Sequence, residues 1–154
     1  MLELGIKAPG FSLLDKDNNI VSLRDFSGRK VVLYFYPKDN TPGCTIQAQG
    51  FRDAYKEFAK LDVVVIGVSK DSVKSHQKFC SDFELPFILL SDVERKTLTA
   101  YEVLKEGSMY GKPVQKTLRT TFLIDEVGTI EHIWSDVDPK ENATEILAYL
   151  NAHR

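Results

Sequence analysis

Two cysteines, two methionines and one tryptophan are all that this 154-residue chain carries of those types. So few cysteines exclude a disulfide-stapled scaffold and a four-cysteine metal centre. No apolar run approaches the ~18 residues that span a bilayer. The opening segment, Met1 to Lys7, lacks the charged, apolar and small-residue regions of a secretory signal. Neither sign of charge is in excess: the formal net charge is -2. With no basic stripe and no like-charge tail, neither nucleic acid nor an anionic membrane surface is expected as a partner. CxxC, P-loop and GxGxxG patterns are absent. The expected location is cytoplasmic, where Cys44 and Cys80 are ordinarily reduced. A bond between them there would be catalytic or redox-sensing rather than structural.

What the chain does contain suits one compact domain, residues 1–154. Its hydrophobic share of 43% and charged share of 27% are ordinary for a globular protein. Phe11 to Leu14 and Ile20 to Leu23 flank a polar turn and read as a hairpin. Ser22 to Gly28 reads as a short helical turn ended by glycine. Val31 to Tyr36 and Val63 to Val68 are unbroken apolar runs, the pattern of buried strands. Between them, Gly43 to Leu61 follows a helical period through Ile46, Phe51, Tyr55, Phe58 and Leu61.

Asp71-Ser72 can cap a helix carrying Val73, His76, Phe79, Cys80 and Phe83. Leu85 to Leu90 predicts a strand, Asp92 to Tyr101 a short helix and Lys105 to Lys116 a loop. Arg119 to Ile124 and Thr129 to Trp134 predict strands about the turn Asp125 to Gly128, and Asn142 to Asn151 a last helix. Alternating strands and helices imply a central mixed sheet flanked by helices, with parallel crossovers early in the chain. Asn142-Ala143-Thr144 matches the glycosylation triplet but reads as chance, polar sequence in the last helix.

The chemistry concentrates at Cys44. It lies in Pro37-Lys38-Asp39-Asn40-Thr41-Pro42-Gly43-Cys44-Thr45, between a buried strand and a helix. That places a thiol in a first helical turn, where peptide N–H groups are unpaired and the dipole is positive. Such a position favours the thiolate, the reactive form. The dipole alone supplies ~0.3–1 kcal/mol, so a cation is also needed. Arg119, at a strand end, is the candidate. Pro37 and Pro42 restrain the loop, Gly43 permits close approach to the sulfur, and Thr41 offers a hydroxyl donor. Cys44 as a small buried hydrophobe is the bland alternative, and the tight Thr-Pro-Gly entry weighs against it.

Cys80 reads either as core packing or as a second thiol that attacks oxidised Cys44. His76 and Cys80 are too few to hold a metal, and His132 and His153 add no ligand spacing. His132 reads as a packing or surface residue in a strand. Asp39 and Asp53 read as solvated.

Taken together, these residues closely resemble peroxiredoxins of the bacterioferritin comigratory protein type, also called peroxiredoxin Q. The resemblance rests on Pro37…Thr41…Cys44-Thr45, Phe51-Arg52-Asp53, Ser91-Asp92, Met109-Tyr110-Gly111-Lys112 and Arg119 to Asp125. It extends from Ala8-Pro9-Gly10-Phe11 to the last helix. It implies an α/β, thioredoxin-like fold with an N-terminal β-hairpin extension, and an enzyme that is a thioredoxin-dependent peroxidase. Cys44 would be its peroxidatic cysteine, with Thr41 and Arg119 holding the peroxide and Pro37 shielding the sulfur. Gln47 stands where many relatives carry glutamate, and its part in orienting Arg119 is open.

The position where one subgroup carries its resolving cysteine is Gln49 here. The segment Ser72 to Cys80 resembles a second subgroup, which implies an intrachain Cys44–Cys80 disulfide. Separate helices are not expected to bring the two Cα atoms within the ~7 Å a disulfide needs, so the turn around Cys44 would have to unwind. The implied partners are hydrogen peroxide or organic hydroperoxides and thioredoxin or a similar dithiol. No cofactor or metal is implied. A monomer is expected, because an intrachain bond needs no second chain. A general thiol–disulfide oxidoreductase and a peroxide sensor on the same fold are the alternatives.

Overall fold

The computed structural model describes residues 2–153. β1 (Ser12–Leu14) and β2 (Ile20–Ser22) form the expected antiparallel hairpin. The Asp15 carboxylate closes its turn by accepting the N–H groups of Asp17 and Asn19. A 3-10 turn over Leu23–Phe26 follows, and then β3 (Lys30–Phe35) enters the centre of the sheet. α1 (Pro42–Asp53) and α2 (Tyr55–Lys60) replace the single helix expected over residues 43–61. The break falls at Ala54, which leaves helical geometry at φ -92, ψ 2.

β4 (Val63–Ser69), α3 (Val73–Phe83), β5 (Ile88–Ser91) and α4 (Lys96–Ala100) come next. The expected loop over residues 105–116 is instead a two-stranded ribbon, β6 (Leu104–Met109) with β7 (Lys112–Thr117). Tyr110 and Gly111 turn it with φ of 52 and 76, the backbone that a tight two-residue hairpin turn requires. β8 (Thr120–Ile124), β9 (Ile130–Trp134) and α5 (Asn142–Ala152) complete the chain. Among the described residues, no helix is long and apolar enough to cross a membrane.

The main sheet has seven strands in the order β2-β1-β5-β4-β3-β8-β9. β3, β4 and β5 run parallel, while β8 lies antiparallel to β3 with Phe35 opposite Thr120. Strand residues alternate between two cores, as a period of two requires. Val32, Tyr34 and Val65 face the side covered by α1, α2, α3 and α5. Val31, Leu33, Phe35 and Ile66 face the side covered by α4 and the 3-10 turn.

α1 buries Cys44, Gln47, Ala48 and Phe51, a stripe at helical spacing. Phe51 stacks on Tyr34 with ring centroids 4.5 Å apart. Full burial of such a ring stabilises the fold by ~1.5–3 kcal/mol. Gly67 on β4 makes room for Tyr34, because a Cβ there would lie 2.8 Å from the ring's Cζ. The packing therefore seats α1, with Cys44 in its first turn, against the central strand β3.

Candidate active site

Six residues lead from the end of β3 to α1. Thr41 is extended at φ -87, ψ 152, and Pro42 begins the helix, where its missing N–H loses no bond. The N–H of Thr45 donates to Thr41 O at 2.9 Å, which closes the first turn. Cys44 is the third residue of that turn and is 1% exposed. The position expected from the loop and helix pattern is therefore the one observed.

Arg119 directly precedes β8, which pairs with β3, so strand pairing carries its guanidinium to the start of α1. Its Nη2 donates to Cys44 Sγ at 3.3 Å and its Nη1 to Gln47 Oε1 at 2.9 Å. Gly43 is what lets it approach: a Cβ there would fall 2.8 Å from Nη2. The glycine is thus spent on the guanidinium as well as on access to the sulfur.

Gln47, whose part was open, orients Arg119. Its own amide Nε2 donates to Asn142 Oδ1 at 3.0 Å, and Thr121 Oγ1 donates to the same oxygen at 2.9 Å. The chain of contacts Asn142–Gln47–Arg119–Cys44 therefore joins α5, α1 and the start of β8. Asn142 was missed as a site residue. The only sequence signal there was a glycosylation triplet, and the side chain is fully buried.

Other expected residues are placed differently. Thr41 Oγ1 donates to Lys38 O at 2.8 Å, so in this state its hydroxyl serves the loop. Pro37 is half-buried at the start of that loop. Asp53 is exposed, as expected. Asp39 is not: it is 4% exposed and hydrogen-bonded inside the fold. The Asn40 that follows, at φ 62, turns the chain so that the Asp39 carboxylate points inward. Burial first, and then the Asp39 carboxylate, push the Tyr36 phenol well above its ordinary range, and it remains a donor. His132 packs in its strand, stacked on Tyr149 at 4.6 Å.

Cys80 lies on α3, 6% exposed, in the same apolar cluster as Cys44, and both thiols are free. Burial pushes the Cys80 thiol up from 9.0 to about 11, against a smaller opposing pull from Lys16. In the folded state at neutral pH it is a protonated thiol. The site thus presents one sulfur to a fixed cation and holds a second, protonated by burial, in the same apolar cluster.

Comparison with known proteins agrees with this geometry. The AhpC/TSA family model matches residues 4–133. The putative peroxiredoxin bcp of Coxiella burnetii is 46% identical over 149 residues, 97% of this chain and 99% of that protein. A structure of Xanthomonas campestris peroxiredoxin Q is 40% identical, with a TM-score of 0.88 over 93% of this chain and 90% of its own. Another structure, of the bacterioferritin comigratory protein from the same organism, concerns alkyl peroxide reduction. It is 38% identical, with a TM-score of 0.88 over 93% of this chain and 91% of its own. With a thioredoxin-like sheet, a cysteine in the first turn of α1 and an arginine on its sulfur, the chain belongs to the AhpC/TSA family and is a peroxiredoxin of the bacterioferritin comigratory protein, or peroxiredoxin Q, type, an enzyme of the peroxidase class.

Proposed function

We propose that Cys44 is the peroxidatic nucleophile and Cys80 its resolving partner. The observation that carries the reading is the Arg119 guanidinium, 3.3 Å from Cys44 Sγ and held there by Gln47. A sulfur anion attacks one oxygen of the peroxide, the O–O bond breaks, and water or an alcohol leaves after taking a proton. Cys44 is then a sulfenic acid. Positioned donors stabilise charge on the departing oxygen. Arg119 supplies such donors, and Thr41 joins it by releasing Lys38 O. Pro37 shields the sulfur from bulk water. The alkyl peroxide chemistry named for the Xanthomonas relative supports organic hydroperoxides as substrates beside hydrogen peroxide.

Resolution joins the two sulfurs. The Cys80 thiol displaces the sulfenic oxygen, which leaves as water, and an intrachain disulfide forms. A dithiol such as thioredoxin then reduces it by exchange. Both cysteines sit in helices, so the first turn of α1 opens for this step. Peroxide-treated protein should show a Cys44–Cys80 bond within one chain by mass spectrometry. Cys80→Ser should keep one rapid oxidation of Cys44 and lose thioredoxin-driven turnover by ~10²-fold or more. Normal cycling of that variant with thioredoxin would assign the enzyme a single working cysteine.

A further inference from the structure

Outside the Cys44 pocket, the most heavily bonded polar group in the core is the Asp39 carboxylate. Its Oδ1 accepts from Tyr36 OH at 2.6 Å, and its Oδ2 accepts from Ser75 Oγ at 2.8 Å. The same Oδ2 faces His76 Nδ1 at 2.7 Å, and His76 is 0% exposed. The other ring nitrogen, Nε2, faces Leu90 O at 3.0 Å. A carbonyl only accepts, so Nε2 carries a proton. Nδ1 and Oδ2 lie at hydrogen-bond distance, which ties His76 to Asp39.

Asp71 belongs to the same knot, its Oδ2 accepting from Asp39 N at 2.8 Å and Ser69 Oγ at 2.7 Å. The ligand atoms of Asp39, Asp71 and His76 lie within 4.8 Å of one another. Those oxygens already receive protein donors, which makes the cluster a hydrogen-bonded knot rather than a seat for a cation. A buried carboxylate is costly unless it is so satisfied, and an apolar residue would fill the space without that demand.

The location of the knot suggests its use. Asp39 lies five residues before Cys44, and His76 lies four before Cys80, on the same buried face of α3. The far end of α3 is closed differently, by its own backbone and by packing. Glu84 ends the helix in the left-handed region at φ 52, the N–H groups of Glu84 and Leu85 donate to Cys80 O, and Phe83 packs edge-on to Phe79. We propose that Asp39 and His76 are positioning residues for resolution. They pin the first turn of α3 to the loop before Cys44, while the last turn, with Cys80, opens towards the oxidised sulfur.

The proposal rests on the Cys44–Cys80 reading. Asp39 lies five residues from one sulfur and His76 four from the other, so the pin limits the chain that must rearrange to these two short segments.

Two variants of His76 separate positioning from packing. An asparagine amide can replace Nδ1, and a glutamine amide can replace Nε2. His76→Asn keeps the donor to Asp39, whereas His76→Gln keeps only the donor to Leu90 O. Rapid mixing with hydrogen peroxide, acid quench and mass spectrometry give the rates of sulfenic acid and disulfide formation separately. Expected are sulfenic acid rates within 2-fold of wild type in both variants. Disulfide formation should be slowed several-fold in His76→Gln and be near wild type in His76→Asn. Equal slowing by both variants, no slowing by either, or parallel loss of both rates would overturn the proposal.

Hydrogen exchange of the unmodified protein tests it without substitution. In the disulfide form the amides of residues 76–78 should stay protected while those of 81–84 lose protection, and the reverse pattern would overturn it. Absence of any Cys44–Cys80 bond in wild type would instead remove the underlying assignment of Cys80.

Discussion

Cys44 and Cys80 are the same residue type, both buried, in one apolar cluster, yet their surroundings are opposite. Cys44 faces a guanidinium at 3.3 Å and sits in a first helical turn. Around Cys80 burial dominates and pushes its thiol up to about 11. Depth alone therefore does not set a thiol's chemistry. The difference comes from one arginine delivered by a strand distant in sequence, held by Gln47 and admitted by Gly43. One sulfur has a fixed cation beside it, and the other is kept protonated by burial.

Removing the arginine should erase most of that contrast. Arg119→Met leaves Cys44 as a buried thiol, and its oxidation by hydrogen peroxide should slow by ~10²–10³-fold, the cost of losing a positioned donor. Stopped-flow fluorescence or competition for peroxide measures it. An unchanged rate would mean that the guanidinium is spectator rather than partner.

A subtler intervention displaces the same group. Gly43→Ala places a Cβ 2.8 Å from the present position of Nη2, too close for both to stay. The guanidinium is the end of a flexible side chain, so it should move at little structural cost. Alanine also favours the helix by up to ~1 kcal/mol over glycine. Oxidation of Cys44 should fall ~10-fold while thermal stability holds or rises slightly. A variant that loses stability and keeps its rate would assign Gly43 to folding.

The smallest effect sharpens the Cys80 side. Its thiol has an ordinary value of 9.0 and a folded value of about 11. Between these pH values the unfolded chain loses the proton and the folded chain keeps it. The contribution to stability is therefore whole below about 9 and is lost as pH rises towards 11, by at most ~1.4 kcal/mol per pH unit. Denaturation midpoints in that range should show a slope that Cys80→Ala reduces. Alkylation of Cys80 in the reduced, folded protein should stay slow until the same range.

Much of this was legible in the chain. Unbroken apolar runs at Val31 to Tyr36 and Val63 to Val68, rich in β-branched and aromatic residues, read as buried strands, and the structure has them at the sheet centre. The Thr-Pro-Gly-Cys segment placed Cys44 in a first helical turn, where the structure has it. The ribbon over residues 104–117 was not legible. Its strands are largely exposed and carry Gly107 and Pro113, so no burial pattern marks them, and pairing across the Tyr110–Gly111 turn makes them strands. Asp39 beside Asn40 read as an exposed turn, because nothing local announces that α3 will place His76 beneath it. Gln47 and Asn142 were obscure for the same reason: a buried amide is recognised by its partners, which lie 95 residues apart here.

By itself the sequence determined where a thiol meets a helix start, which runs form the central sheet, and that a second cysteine follows on the helix after the second central strand. These are local properties, set by periodicity, proline, glycine and capping over a turn or two of chain. Only the tertiary structure decided that the two cysteines differ in kind. Fixed charge and burial act through space, and the residues that supply them to Cys44 and Cys80 come from strands and helices that the fold alone brings together.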